Sequence, residues 1–536
     1  MTNQTLKVKM KHRIKFHIGR GAPHVWICGA ATAAVLLMFL IMIFVVARYG
    51  LSAFWTPDYH TFTMRDGSRI LGAIAARETE TNKTQLYIAN REFSGLDFVW
   101  IDNNQITSRE QDADVVVLER MGNGKYIGWI AALATGEQRR AIGGSWPALE
   151  YQLTLLKDEA GELERLKKQM ASISLKMERL RLRVLRQQKE DEAKARETEQ
   201  KRQEKLQEFE TLNARASDLT AKLRQNVVVM VDASGQKHDI ALLDIVKAYR
   251  PNHMGLLGKS GLYMGKVYEL LTDFPRESNT EGGLFPAIMG TVMMVMLMSL
   301  FGVPLGVLTG IYLSEYARQS ILVNLVRITV NNLAGVPSIV YGMFGLGLFV
   351  YGFGGAIDQW FFPERLPMPT YGTDGLLWAA LTMALLTVPV VIVSTQEGLE
   401  SVPKSIRDGS QAMGATRFQT LTRVVLPMAS PGILTGLILA IARAAGEVAP
   451  LMLVGVVKMA PSLPLDGTFP YLHLDRKIMH LGFHIYDVGF QSPNAEAAKP
   501  MVFVTTLLLL AVVLGMSIVA MYLRNKMKTR YNTEAF

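Results

Sequence analysis

The sequence predicts an α-helical polytopic membrane protein with six transmembrane helices and an inserted α+β domain that contains a coiled coil. Three observations predict this fold class: six apolar segments are long enough to cross a bilayer, a polar stretch of more than 200 residues separates the first from the second, and basic residues cluster on one side of the resulting topology. The chain has 536 residues, is 49% hydrophobic and has a mean hydropathy of +0.17. This composition is too apolar for a soluble globule and too charged for a chain that lies wholly in the membrane.

The N-terminal region predicts a membrane anchor. Residues 1–24 are rich in Lys and Arg, and an apolar run of about 23 residues follows at 25–47, enough to cross a core of ~30 Å. A cleaved signal peptide has a shorter apolar region and a small-residue cleavage site, and neither is present. We therefore expect an uncleaved transmembrane helix at 25–48 with a cytoplasmic N-terminus. The single cysteine, Cys28, lies inside this anchor, so an intrachain disulfide is excluded.

Residues 49–283 predict a large outer domain. Short runs rich in β-branched residues, such as "DADVVVLER" and "NVVVMVD", indicate strands. Between them, apolar residues recur every seven positions from Leu149 to Val184, and a second register follows from Phe209 to Leu223. This periodicity predicts a coiled coil at about 149–224. It leaves open whether one long helix pairs with another chain or two arms fold back as a hairpin.

The remaining apolar segments complete the membrane domain, at 284–523. We expect spans at about 284–313, 323–351, 376–396, 431–456 and 501–523. The predicted inner loop at 397–430 and the tail at 524–536 are rich in Lys and Arg, so both termini are predicted to be cytoplasmic. The net charge of +10 lies largely at these membrane boundaries, which argues against nucleic acid as a partner.

The predicted inner loop carries an ordered motif. Asp408, Gly409 and Ser410 are followed after three residues by Gly414, and after nine more by Val424, Leu426 and Pro427. These intervals resemble the EAA loop of bacterial ABC importer permeases, with Asp in place of Glu and with Gly and Ser in place of the two Ala. The stretches "GATRFQTLTRVVLP" and "PGILTGLILAIARAAGEVAPLM" are similar to the PstA family of phosphate-importer permeases. The resemblance covers about 284–530 and leaves out the outer domain.

The resemblance implies a type I ABC importer fold in the bacterial inner membrane and a set of partners. These are a PstC-like second permease, a PstB-like ATPase dimer that holds ATP and Mg²⁺, a PstS-like periplasmic phosphate-binding protein, inorganic phosphate, and the signalling proteins PhoU and PhoR. It also implies that the loop docks into the ATPase as a short helix. This chain is expected to bind no cofactor and to be no enzyme, since we find no metal-ligand cluster or catalytic triad in its sequence.

Arg443 and Glu447 lie within an otherwise uncharged stretch of the predicted fifth span. Their i, i+4 spacing predicts that both lie on one helix face. They form either a neutral pair that stabilises the helix bundle or a substrate pathway, and charged residues inside membranes favour the second interpretation. Arginine matches the oxygens of phosphate, and a nearby carboxylate accepts hydrogen bonds from protonated phosphate but not from sulfate.

Three further positions bear on the predicted pathway. Asn331 and Asn332 precede Pro337, and their amides either satisfy the backbone groups that a proline break frees or line the pathway. The family typically has Arg where Ser394 stands, with Arg327 as a candidate to compensate. Two alternative functions are a permease for another oxyanion, such as molybdate or sulfate, and a membrane-anchored periplasmic sensor.

Overall fold

The computed structural model describes residues 22–136, 140–141, 144–188, 191–492 and 495–530. Within this part of the chain, six helices are long and apolar enough to cross a membrane: His24–Ser52, Phe285–Tyr316, Ser338–Phe361, Leu376–Glu400, Arg417–Gly446 and Ala495–Thr529. The protein is therefore a multi-pass membrane protein, and the predicted fold class is confirmed. The first helix, α1 (Ala22–Ser52), begins after the predicted basic segment, of which residues 1–21 lie outside the described residues.

The outer domain contains two antiparallel sheets. The first has the order β4-β3-β2-β1-β5 and is formed by β1 (His60–Met64), β2 (Arg69–Glu78), β3 (Lys83–Tyr87), β4 (Phe98–Asp102) and β5 (Ile106–Glu110). The short helix α2 (Arg91–Ser94) lies between β3 and β4. The second sheet has the order β10-β9-β7-β6-β11, with β8 beside β7, and is formed by β6 (Val116–Arg120), β7 (Lys125–Thr135), β8 (Arg140–Ala141), β9 (Val227–Val231), β10 (Lys237–Ala241) and β11 (Ile245–Tyr249). Alternating apolar residues of these strands, such as Leu118 and Met230, are fully buried.

Two long helices are inserted into the second sheet. They are α3 (Trp146–Gln187) and α4 (Glu192–Arg224), joined by a short connection, so they run antiparallel as a hairpin within one chain. Leu149, Leu156 and Leu163 of the predicted heptads are buried between the helices and the sheet. The hairpin settles the alternative that the sequence left open, whereas the supercoil of a coiled coil stays a prediction.

The tip of the hairpin reaches the membrane domain. Arg186 forms an ion pair with Glu364 at 2.6 Å, and the guanidinium of Arg179 donates to the carbonyl of Phe469 at 3.0 Å. Glu364 and Phe469 belong to two different loops on the side of the membrane that carries the outer domain. The hairpin is thus anchored in the second sheet at its base and on these loops at its tip.

The chain returns to the membrane through α5 (Leu256–Thr272) and the pair β12 (Pro275–Arg276) and β13 (Glu281–Gly282). The membrane domain then consists of α6 (Phe285–Ile311), α7 (Ile321–Leu333), α8 (Ser338–Phe344), α9 (Gly355–Phe361), α10 (Leu376–Glu400), α11 (Lys404–Ala412), α12 (Arg417–Thr420), α13 (Leu426–Gly446), α14 (Leu451–Val454), α15 (Leu481–Tyr486) and α16 (Ala495–Arg530). π-helical turns continue α6, join α8 to α9, join α12 to α13 and extend α15. Helix α10 lies at the centre, packed against α6 and α13.

Two predicted spans are placed wrongly. The predicted span at 323–351 is interrupted after Leu333, and the crossing helix runs over Ser338–Phe361 instead. The predicted span at 431–456 begins at Arg417 and ends at Gly446. Hydropathy windows follow composition, so they extended the third span across the break before Pro337. They also excluded residues 417–430 of the fifth span, which carry Arg417 and Arg423.

Candidate substrate pathway and coupling loop

Arg443 and Glu447 meet at the end of a helix rather than along its face. Helix α13 ends at Gly446, and Glu447 has an extended backbone with φ −80° and ψ 134°. The prediction that both residues lie on one helix face is therefore wrong. The two side chains still approach each other, with 3.5 Å between Arg443 Nε and Glu447 Oε1. Arg443 in the last turn is favoured by the partial negative charge of the helix C-terminus.

The pair is accessible from outside this subunit. The exposed fraction of the Arg443 side chain is 32%, and that of Glu447 is 24%. A neutralising pair buried within the bundle would be shielded from any ligand, whereas these groups face space that a second subunit or a substrate can occupy. The partial exposure favours the pathway interpretation, which stays a prediction.

The break after Gly446 is fixed by close packing against α8. Pro450 starts the next helical turn, where its missing N–H costs nothing. A Cβ at Gly342 would lie 2.7 Å from Cα of Pro450, so the two backbones are in direct contact. Any larger residue at 342 would displace the segment that carries Glu447.

A second break lies between α7 and α8. Pro337 caps the start of α8, as the sequence indicated. The hydroxyl of Tyr341 donates to the carbonyl of Leu333 at 2.6 Å, so Tyr341 satisfies a group that the break frees. Asn331 and Asn332 are exposed, and in the part of the chain that the structure describes their amides donate no hydrogen bond to this break. Both roles of the two asparagines, support of the break and lining of the pathway, stay predictions.

The inner loop forms a helix–turn–helix unit. Asp408, Gly409 and Ser410 lie on α11, and Gly414 follows with φ +88°, a backbone conformation that favours glycine. Thr416 and Gln419 then form a reciprocal capping box at the start of α12.

The two helices of this unit are held together, and its outer surface is free. Ser410 Oγ lies 3.0 Å from Thr420 Oγ1. Val424, Leu426 and Pro427 continue the second helix into the fifth span. Met413 is 90% exposed and Phe418 is 65% exposed, which leaves an apolar surface on both sides of the turn. Isolated apolar patches of this kind often mark protein contacts.

Comparison with known proteins places the chain in a family. Residues 302–529 match the family described as binding-protein-dependent transport system inner membrane component. The chain is 36% identical over 234 residues to the phosphate transport system permease protein PstA of Yersinia pestis, which covers 43% of this chain and 70% of that protein. The chain belongs to this permease family.

Two further matches extend the comparison. The permease is 36% identical over 197 residues to the probable phosphate transport system permease protein PstA of Methanocaldococcus jannaschii, covering 36% of this chain and 63% of that protein. A solved structure of the inward-facing MetNI methionine ABC transporter aligns with 17% identity and a TM-score of 0.33, covering 49% of this chain and 98% of that chain. Members of the family are inner membrane components of binding-protein-dependent transport systems.

The structure also explains Ser394, where the sequence departs from the family pattern. Ser394 is buried on α10, and a Cβ at Gly436 of α13 would lie 2.7 Å from its Cβ. A long basic side chain does not fit between helices at this distance. Arg327, the proposed substitute, donates to the carbonyl of Leu313 at 2.7 Å and so caps the end of α6.

One functional contact escaped the sequence analysis. Arg407 of α11 forms an ion pair with Glu315 and donates to the carbonyl of Leu399, which ties the inner loop to the ends of α6 and α10. The available signal was Glu315 itself, an isolated acid at the end of a long apolar segment.

Among the residues that the structure describes, no cluster of three or more His, Cys, Asp or Glu is arranged to hold a metal ion.

Proposed function

We propose that this chain is one membrane-spanning subunit of an ATP-driven importer of inorganic phosphate. The observation that carries the proposal is the family match over residues 302–529, which includes both the exposed inner loop and the Arg443–Glu447 break. Phosphate as the substrate is inferred from the two relatives, which are phosphate transport system permeases.

The substrate pathway would lie between this subunit and a PstC-like second permease. Arg443 offers a planar, permanently charged group that matches phosphate oxygens. The carboxylate of Glu447 lies 3.5 Å away and would lower an affinity for phosphate that arginine alone would make too high for release. It would also accept a hydrogen bond from protonated phosphate. Because the pair lies at a helix end instead of a continuous helix face, small movements of residues 447–450 can change the distance between the two groups.

Coupling to ATP hydrolysis would pass through the inner loop. Met413 and Phe418 present apolar groups to a PstB-like ATPase, which would hold ATP and Mg²⁺ as part of a dimer. The contacts of Arg407 with Glu315 and Leu399 would transmit a displacement of the loop to α6 and α10. A PstS-like binding protein would deliver phosphate on the opposite side, and regulation through PhoU and PhoR is part of the same proposal.

The orientation follows from charge. We infer that the basic residues of the inner loop and the C-terminal region lie in the cytoplasm of a bacterial inner membrane, with the outer domain in the periplasm.

Uptake of labelled phosphate by cells that carry the variant as their only copy tests the proposal. Arg443→Gln and Glu447→Gln should each lower uptake at least 10-fold, while Arg443→Lys, which keeps the charge but not the planar geometry, should lose less. Full phosphate uptake by both Gln variants would refute the pathway assignment. Sulfate and molybdate serve as competitors: inhibition equal to that by unlabelled phosphate would refute phosphate selectivity.

A further inference from the structure

A cavity of about 610 Å³ lies where the outer domain meets the ends of α1 and α16. Its volume is within the range of roughly 300–1,000 Å³ that is typical of ligand sites. Both sheets contribute to one wall, and residues of α1 and α16 form the opposite wall. Neither Arg443 nor Glu447 lines the cavity, which takes no part in the proposed pathway.

Most of the charged groups around the cavity are paired. Lys266 contacts Glu119 at 2.8 Å, and Glu269 contacts Lys247 at 2.8 Å as well as Arg276. Glu496 accepts a hydrogen bond from Gln85 at 2.7 Å.

Three further charged groups that line the cavity have no ion-pair partner within the described residues. Within the described residues, Lys125, Glu281 and Lys499 form no ion pair and no side-chain hydrogen bond, although all three line the cavity. Burial opposes the charging of Lys125, but Tyr249 and Glu281 outweigh it, and the pKa of Lys125 lies well above its usual value. Lys125 and Glu281 act on each other through their charges but make no direct contact, so the hydrogen-bonding capacity of both groups is left unsatisfied, which is costly. The pattern therefore indicates a missing counterpart.

Two tyrosine hydroxyls point to the chemistry of that counterpart. Tyr59 and Tyr87 line the cavity, and their hydroxyls form no hydrogen bond within the part of the chain that is described. Burial raises the pKa of Tyr59 to about 12 and raises that of Tyr87 as well, so both stay protonated. Two hydroxyl donors beside an ammonium group suit a phosphate group.

The opposite wall is apolar and aromatic. The rings of Tyr49 and Phe503 stack at 5.0 Å, and Trp55 lies nearby with 43% of its surface exposed. Aromatic residues of this kind are enriched where the hydrocarbon core of a bilayer meets water. The cavity therefore has a polar wall with charged groups and an aromatic wall of the kind found at a membrane surface.

We propose that this cavity binds a phospholipid with a primary amine in its headgroup. The phosphate would accept hydrogen bonds from Lys125, Tyr59 and Tyr87, and the ammonium group would face Glu281. The acyl chains would leave the cavity beside Tyr49 and Phe503, along the contact between α1 and α16. A zwitterionic headgroup accounts for a free ammonium and a free carboxylate in the same cavity.

Lipid retention by the purified full-length protein tests this proposal. The protein is exchanged into nanodiscs that contain phosphatidylethanolamine, phosphatidylcholine and phosphatidylglycerol in equal amounts, and bound lipid is measured by native mass spectrometry after release. Phosphatidylethanolamine should be retained at least 5-fold above its share. Lys125→Met should abolish the enrichment, and Glu281→Gln should remove the preference for the primary amine while keeping phospholipid bound.

The controls separate binding from folding and from free phosphate. Lys237→Met, at an exposed strand position, should leave the enrichment unchanged. Tyr59→Phe and Tyr87→Phe keep the shape of the wall and should weaken retention even if Lys125→Met fails to fold. Equal retention of the three lipids by the wild-type protein would overturn the proposal. Displacement of the lipid by millimolar inorganic phosphate would also overturn it, because the site would then belong to the free ion.

Discussion

The outer domain and the membrane domain are stabilised in different ways. The outer domain buries ion pairs: the side chains of Glu119 and Lys266 are 6% and 11% exposed at a separation of 2.8 Å. The membrane domain instead relies on close contacts between helices, such as the one between Gly436 and Ser394. The comparison teaches that one region is sensitive to charge and pH, whereas the other is sensitive to side-chain volume.

The largest effect on phosphate uptake is expected at Gly414, and Gly235 serves as its control because both glycines have the same backbone conformation. Gly414 in the inner loop has φ +88°, and Gly235 in an outer-domain turn has φ +85°, with open space around both. Gly414→Asp should reduce phosphate uptake more than about 100-fold while the protein stays in the membrane, because the strained turn carries the proposed ATPase contact. Gly235→Asp imposes the same strain far from that contact, and uptake should change less than about 2-fold. Uptake and immunoblots of membrane fractions measure both; equal losses would contradict a coupling role for Gly414.

Removal of one member of the buried pair should have the next largest effect. Lys266→Met leaves the Glu119 carboxylate without its ammonium partner, and we expect a loss of about 3 kcal/mol in the stability of the outer domain. Lys237→Met, at an exposed position, is the matched control and should change stability by less than ~0.5 kcal/mol. Urea unfolding followed by tryptophan fluorescence measures both, and similar midpoints for the two variants would refute the importance of the pair.

Side-chain volume should matter most in the membrane domain. A Cβ at Gly436 would lie 2.7 Å from Cβ of Ser394, whereas Gly515 on α16 has no atom within 4 Å of such a position. Gly436→Leu should therefore cost about 1–3 kcal/mol through overpacking, and Gly515→Leu should be nearly neutral. Thermal unfolding in detergent compares them; a neutral Gly436→Leu variant would show that α10 and α13 separate freely.

Acid should weaken the outer domain through Glu119. Burial opposes its ionisation, but the ammonium groups of Lys266 and Lys125 outweigh burial and lower the pKa of Glu119 from 4.5 to about 2. A lowered pKa means that the stabilisation is complete above pH ~4.5 and is lost as the pH falls toward ~2. The stability difference between the wild-type protein and Glu119→Gln should therefore shrink over this interval. A difference that stays constant from pH 6 to pH 2.5 would exclude the pair as the cause.

The smallest expected effect lies at the hairpin tip. Arg186 is more than half exposed, so Arg186→Gln should cost less than about 1 kcal/mol in global stability. It should nonetheless broaden the distance distribution between spin labels on the tip and on the loop around Glu364. Arg196→Gln, which breaks an exposed pair within α4, should leave this distribution unchanged. Identical distributions for all three proteins would show that the ion pair does not fix the tip.

Local signals in the sequence predicted local features well. Gly414 lies at a turn and Pro337 at a helix start, because each residue type permits or restricts particular backbone angles wherever it occurs. Heptads predicted helical structure at about 149–224 but not whether it forms one long helix or two arms, since a hairpin and a dimer require the same periodicity. The spacing of Arg443 and Glu447 predicted proximity correctly, yet it missed the helix end, which depends on the contact between Gly342 and Pro450.

Features assembled from distant segments were beyond prediction. The cavity walls come from residues as far apart as Tyr49, Lys125, Glu281 and Phe503. No periodicity or short motif connects them, and each alone is typical of an ordinary strand or helix end. The role of Ser394 was likewise invisible until the distance between α10 and α13 was known.

The hairpin also sets a mechanical condition on transport. Helix α3 contains 42 residues, which corresponds to a strut of roughly 60 Å at 1.5 Å per residue. One end of the hairpin packs on the second sheet, and the other contacts the loops at Glu364 and Phe469. These loops therefore cannot shift outward unless the sheets tilt or the contacts at the tip of the hairpin break. In the proposed transport cycle, each opening and closing of the outer mouth would therefore be accompanied by a tilt of the whole outer domain.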